Sequence, residues 1–148
     1  MKQTVIMNLL ATFLVMLFLY ASFSKYFGYA AFDRAMHDQP FPNWFSDLLV
    51  YLIPPVEIII AILLVPDYTR RIGFYSATVL MGLFTLYISG ILMHFFPWEP
   101  CNCGGLISSL SWGQHLLFNL FFLVLAIAGS VLNKNRAADM ESGEFIRH

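Results

Sequence analysis

Charge is scarce in this chain. Asp, Glu, Lys and Arg make up 11% of its 148 residues, against about 25% in an average soluble domain. With 59% hydrophobic residues and a mean hydropathy of +0.70, that shortage excludes an ordinary soluble domain and points to the membrane. A net charge of −1 leaves no basic stripe to neutralise phosphates, so nucleic acid is excluded as a partner. Internal repeats and low-complexity segments are absent, and the length allows one domain. Cysteine is rarer still, with only Cys101 and Cys103 in the chain. One pair cannot run a complete disulfide shuttle within a single polypeptide, which needs two.

What the chain has in abundance is apolar length. A helix needs about 20 mostly apolar residues to cross the hydrocarbon core. Four stretches meet that requirement: Thr4–Phe23, Phe45–Val65, Ile72–Phe96 and Trp112–Leu132. The second contains Pro54 and Pro55, so an irregular helix is expected there, its freed carbonyls satisfied by neighbouring helices. The first begins after Lys2, as a signal peptide would, but its apolar run exceeds an h-region and the chain beyond stays hydrophobic, so it reads as a retained span. The expected fold is all-α: an integral membrane four-helix bundle over residues 1–133, followed by a polar, mobile cytoplasmic tail over 134–148. The stretch from Tyr29 to Trp44 is expected to form a short surface helix ended by "QPFPNW". Trp44, Trp98 and Trp112 suit an aromatic belt better than a quinone box.

Orientation follows from the basic residues. Lys2, Arg70, Arg71, Lys134, Arg136 and Arg147 fall on one side, and only Lys25 and Arg34 on the other. The basic side is expected to be cytoplasmic. Both termini then lie inside a bacterial inner membrane, with "CNCGG" at residues 101–105 on the periplasmic face, where thiols are oxidised and exchanged.

Cys101-Asn102-Cys103 is spaced for a tight disulfide. Bridgeable cysteines have Cα atoms roughly 4.4–6.8 Å apart, which an i, i+2 pair in a bent backbone can meet, and Gly104 and Gly105 ease the bend. So short a loop removes little chain entropy when closed, while strained, exposed disulfides are labile and suit exchange. Two alternatives stay open: a stabilising clip, and a soft-metal site in which the thiolates join Met93, His94 or His115 around Cu(I) or Zn.

Other polar residues stand out against the apolar background. Glu57 lies at mid-depth in the second span, where a charge costs about 2.5–3.5 kcal/mol. It reads equally as a proton-handling or quinone-binding group and as an inter-helix hydrogen bond. His115 and Asn119 are four apart and share one face of the fourth span, and Ser111 extends that face toward the cysteines. His115, and less so His94, is placed to act as a base toward a thiol; the structural alternative for both is a helix-end or cross-bundle hydrogen bond. Lys25 is expected to snorkel to the outer interface.

These residues resemble a family. "PCNCGGLISSLSWGQHLLFNLFFLVLAIAG", with Cys101, Cys103, Trp112 and Asn119, is similar to the C-terminal hairpin of the MauE/DoxX group of redox-associated membrane proteins. "ASFSKYFGYAAFDRAM" resembles that group's small-x-x-Lys stretch, and "IPPVEIIIAILLV", with Glu57, its Pro-x-x-Glu second span. Gly104-Gly105 departs from the Phe-Gly of many relatives. The resemblance implies a four-span inner-membrane protein that handles disulfides with a periplasmic thioredoxin-like or disulfide-containing partner, as in maturation of the disulfide-rich small subunit of methylamine dehydrogenase. On that reading Cys101, Cys103 and His115 are catalytic, Glu57 and Asn119 hold a cofactor such as a quinone, and lipid is the surrounding solvent. A non-catalytic scaffold for a periplasmic redox protein is the alternative, and monomer and oligomer are both compatible with the pattern.

Overall fold

The protein was analysed as a computed structural model, which describes residues 2–96 and 111–145, with side chains through residue 136. Five helices follow in chain order: α1 (Lys2–Phe27), α2 (Tyr29–His37), α3 (Asn43–Leu64), α4 (Arg70–Leu92) and α5 (Trp112–Phe145). The described residues form no strand. Four helices are long and apolar enough to cross a membrane: α1, α3, α4 and the Trp112–Arg136 part of α5. The chain is therefore an all-α, multi-pass membrane protein, and α2 is the short helix expected between the first two spans.

The bundle closes as a ring in which α1 packs on α3, α3 on α4, α4 on α5 and α5 back on α1, while α2 lies against α3 and touches α1. Its core is built where small residues let helices approach. Ala11, Ala61, Ala77 and Ala126 are buried beside Leu14, Phe18, Leu64, Phe74 and Met81. In lipid there is no hydrophobic drive between helices, so such close packing holds the bundle together. A Cβ on Gly129 of α5 would fall 2.1 Å from the Phe74 ring of α4, so the absence of a side chain there is what admits the ring. Beside it, Thr78 and Ser130 hydroxyls meet at 3.3 Å. A smaller cluster of Phe32, Val50 and Ile53 seats α2 at the other end.

Helix ends account for the remaining departures from expectation. Pro54 and Pro55 do not interrupt α3, which runs through both; the carbonyls they free are those of Val50 and Tyr51, whereas the Ser22 hydroxyl of α1 donates to the Pro54 carbonyl itself at 2.9 Å and ties α1 to α3 at that turn. Arg70 does more than mark a membrane side. Its guanidinium donates to the carbonyls of Leu64 and Val65 at 3.1 and 2.8 Å and to Asn8 at 2.8 Å, which satisfies carbonyls at the C-terminus of α3 and ties α1 to the α3–α4 turn. The third span stops at Leu92, four residues early. His94 adopts φ 55°, its N–H bonds Ile91 and that of Phe95 bonds Gly90, which is the Schellman pattern with histidine in place of glycine. At the other end of the chain, α5 continues to Phe145. Its 34 residues extend about 50 Å at 1.5 Å each, well beyond the hydrocarbon core.

Candidate functional site

Ser22 and Lys25 of α1, Ser46 and Glu57 of α3, and His115 and Asn119 of α5 form one set of polar residues on the α2 side of the bundle. Ser22 and Pro54 set the register there. Lys25 lies one turn beyond Ser22 toward the end of α1, and Glu57 one turn beyond Pro54 toward the C-terminus of α3. Because α1 and α3 are antiparallel, the two backbones diverge along the axis, yet the side chains meet. Lys25 Nζ donates to Glu57 Oε1 at 2.7 Å and Oε2 at 3.1 Å. Side chains on a helix lean toward its N-terminus, so Lys25 leans into the bundle and Glu57 leans up to meet it.

This corrects the expectation that Lys25 snorkels outward. Its ammonium also lies 3.4 Å from the Ala21 carbonyl, and its side chain is only 13% exposed, that of Glu57 2%. A carboxylate at that depth is tolerable only when neutralised and hydrogen-bonded, and both oxygens accept from one cation. The Phe32 ring of α2 lies 5.7 Å from Nζ, adding a cation–π contact from above. Lys25 is thus the site member that sequence reasoning missed. The signal was available in the lone mid-membrane carboxylate, which needs a cation, and Lys25 is the lysine of the neighbouring span end.

On α5, the Trp112 ring stacks on His115 at 6.4 Å and 11°. The buried His115 Nδ1 and Asn119 Nδ2 have no hydrogen-bond partner among the described residues, and Asn119 is 5% exposed. Buried polar atoms without partners are uncommon and ask for a water, a ligand or another group. Ser46 of α3, fully buried, carries a third such atom.

Ser111 does not extend this face. It is exposed and caps α5: its hydroxyl accepts from the Gln114 N–H at 3.3 Å, and its own N–H donates to Gln114 Oε1 at 3.0 Å. The S-x-x-Q spacing is a capping box, legible in the sequence as such. Met93 is 68% exposed and turns away from the bundle. Trp44, at 68% exposure, fits its belt reading.

Cys101, Cys103 and Trp98 lie outside the described residues. Among the described residues, α4 ends and α5 begins at the end of the bundle that holds Lys25, His115 and α2. Packing at that end is aromatic and polar. Tyr87 of α4 donates its hydroxyl to the Gln39 side chain, and Phe41 and Phe96 flank its ring at 5.3 and 5.7 Å. At the opposite end Arg70 and Arg71 open α4 and Lys2 opens α1, so the basic residues do segregate along the bundle as their sequence positions implied.

Residues 3–132 match the family described as methylamine utilisation protein MauE. The match bears out the MauE part of the resemblance and gives no support to its DoxX part. Neither a curated protein nor a solved structure matches the chain.

Proposed function

The chain belongs to the MauE family, and from that premise we propose that it is an inner-membrane thiol–disulfide component that exchanges disulfides with a periplasmic partner through Cys101 and Cys103. The observation that carries the reading is the concentration of buried polar groups at one end of the bundle. Lys25 and Glu57 pair at 2.7 Å, and His115 Nδ1 and Asn119 Nδ2 have no hydrogen-bond partner among the described residues, at the end where α4 ends and α5 begins.

The exchange balances as follows. A thiolate of a partner dithiol attacks one sulfur of a Cys101–Cys103 disulfide, forming a mixed disulfide and releasing the other cysteine as thiolate. The second partner thiol, as thiolate, attacks the partner's own sulfur in the mixed disulfide. The partner leaves oxidised, and Cys101 and Cys103 are left reduced by two electrons. The two protons shed by the partner's thiols are taken up by the cysteine thiolates. His115 is the group placed to hold a proton in transit. The two electrons then pass to a quinone or to a second protein disulfide. Of the two residues expected to hold a quinone, Asn119 fits, because its free Nδ2 can donate to a carbonyl. Glu57 does not fit equally, because both its oxygens already accept from Lys25. The orientation with both termini in the cytoplasm belongs to this proposal and is supported by the six-to-two division of basic residues.

The test is covalent trapping in cells. With Cys101→Ser or Cys103→Ser, one variant should accumulate a complex with a periplasmic protein on a non-reducing gel, lost on adding reductant. Absence of any complex from both variants, with wild-type thiols inert to reductant and oxidant, would replace this reading with that of a scaffold.

A further inference from the structure

Helix α2 covers the Lys25–Glu57 pair. Phe32 seats it on Val50 and Ile53 and reaches over Lys25, while Phe32 and Ala35 are its buried residues. Its last residue, His37, is held in an unusual way. Ring Nδ1 lies 2.9 Å from the Asp33 backbone oxygen, and ring Nε2 lies 3.1 Å from Asp47 Oδ1 on α3. Both partners are oxygens that accept, so both ring nitrogens must donate. Only the doubly protonated imidazolium does that. The Asp33 carboxylate adds a second negative charge 3.5 Å from Nδ1.

From this geometry we propose that His37 is a proton-operated clamp: as imidazolium it pins the C-terminal end of α2 to α3 over the Lys25–Glu57 pair, and loss of its proton releases that end. A neutral imidazole keeps one N–H. Its other nitrogen becomes an acceptor aimed at an oxygen acceptor, so one of the two bonds must break. The proposal goes beyond the thiol–disulfide reading and does not depend on it.

The surroundings of His37 favour this assignment. Asp33 and Asp47 face the ring from α2 and α3. Arg34 is turned back to the Ala30 carbonyl, and the N–H groups of Asp38 and Gln39 cap the α2 C-terminus on the carbonyls of Arg34 and Met36. Against α2, Tyr51 of α3 is engaged with Tyr29 and Lys25 of α1 with Glu57. No cation among these offsets the carboxylates at the ring. His37 is correspondingly raised above its ordinary 6.5, first by the hydrogen bond to the Asp33 backbone and then by the charges of Asp33 and Asp47. A raised histidine stabilises the fold fully below pH 6.5 and ceases to do so as pH climbs through its folded value. The clamp therefore holds in mildly acid conditions and loosens on the alkaline side.

The full chain in lipid nanodiscs supports two measurements between pH 5.5 and 8.5: the Cε1–H chemical shift of His37, and amide exchange of residues 29–39 corrected for intrinsic rates. His37 should titrate above 6.5. Protection of α2 should fall roughly two- to fivefold across its titration, the range an exposed ion pair can supply, while amides of α1 stay unchanged. His37→Gln, which carries no charge and has both its N–H donors on one nitrogen rather than one on each side of a ring, should hold α2 at the low level at every pH. Titration at or below 6.5, α2 protection indifferent to pH in the wild type, or a pH dependence that survives in His37→Gln would each overturn the proposal.

Discussion

Removing one member of the Lys25–Glu57 pair tests whether the bundle depends on it. In Lys25→Met, Glu57 keeps a side chain 2% exposed with its cation gone. The carboxyl escapes by taking up a proton, which at pH 7 costs about 3.7 kcal/mol (1.36 kcal/mol for each of about 2.7 pH units above a glutamic acid pKa near 4.3). That figure lies within the 3–5 kcal/mol typical of breaking a buried ion pair. Glu57→Leu strips the carboxylate instead and should cost less, about 2 kcal/mol, because Lys25 is two residues from the end of α1 at Phe27 and its ammonium can swing out to water. Glu57→Gln, which keeps one acceptor for Lys25, should cost less again. The double variant Lys25→Met/Glu57→Leu buries no charge and should be about as stable as wild type. The coupling is then several kcal/mol, beyond the usual 0.5–3 kcal/mol for contacting residues. Detergent-solubilised protein titrated with SDS and followed by tryptophan fluorescence gives the four free energies. The Lys25→Met deficit should also shrink by about 1.36 kcal/mol per unit as pH is lowered from 7 toward 5. Additive single effects, or a deficit indifferent to pH, would refute the pairing argument.

Two further outcomes are expected. Gly129→Ala should destabilise the bundle by about 1–3 kcal/mol by forcing Phe74 from its seat, whereas Gly82→Ala, whose Cβ would meet nothing within 4 Å, should be neutral or slightly stabilising in the same titration. Cys101 in reduced, intact cells should react with a membrane-impermeant maleimide added outside; reaction only after lysis would reverse the orientation and remove the periplasmic argument.

Much of this architecture was readable before any coordinates. The four spans follow from apolar length alone, because the bilayer demands about 20 apolar residues whatever the helices pack against; the expected starts lie within about two residues of the helix starts, while α5 runs on past Leu132 to Phe145. The short helix at Tyr29 and the buried state of Glu57 and Asn119 were legible for a similar reason: a polar residue in an apolar run must face protein.

Direction and partnership were not legible. Lys25 looked like an interface residue because its position near a span end permits snorkelling; the lean of its side chain toward the α1 N-terminus, and a carboxylate leaning up from an antiparallel neighbour, turned it inward. Ser111 looked like part of the His115–Asn119 face by spacing, while the local bond to Gln114 claimed it as a cap. Arg70 counted only as a charge until the fold brought four acceptors around it: Asn8 of α1, Leu64 at the end of α3, and Val65 and Asp67 of the α3–α4 turn. Gly129 and Phe74 lie 55 residues apart, and nothing in either local stretch says that one is the seat of the other. Hydropathy is a property of each segment and its solvent, so sequence alone determines it. Which polar groups meet depends on helix rotation and axial register between segments, and those are set only when all four helices pack together.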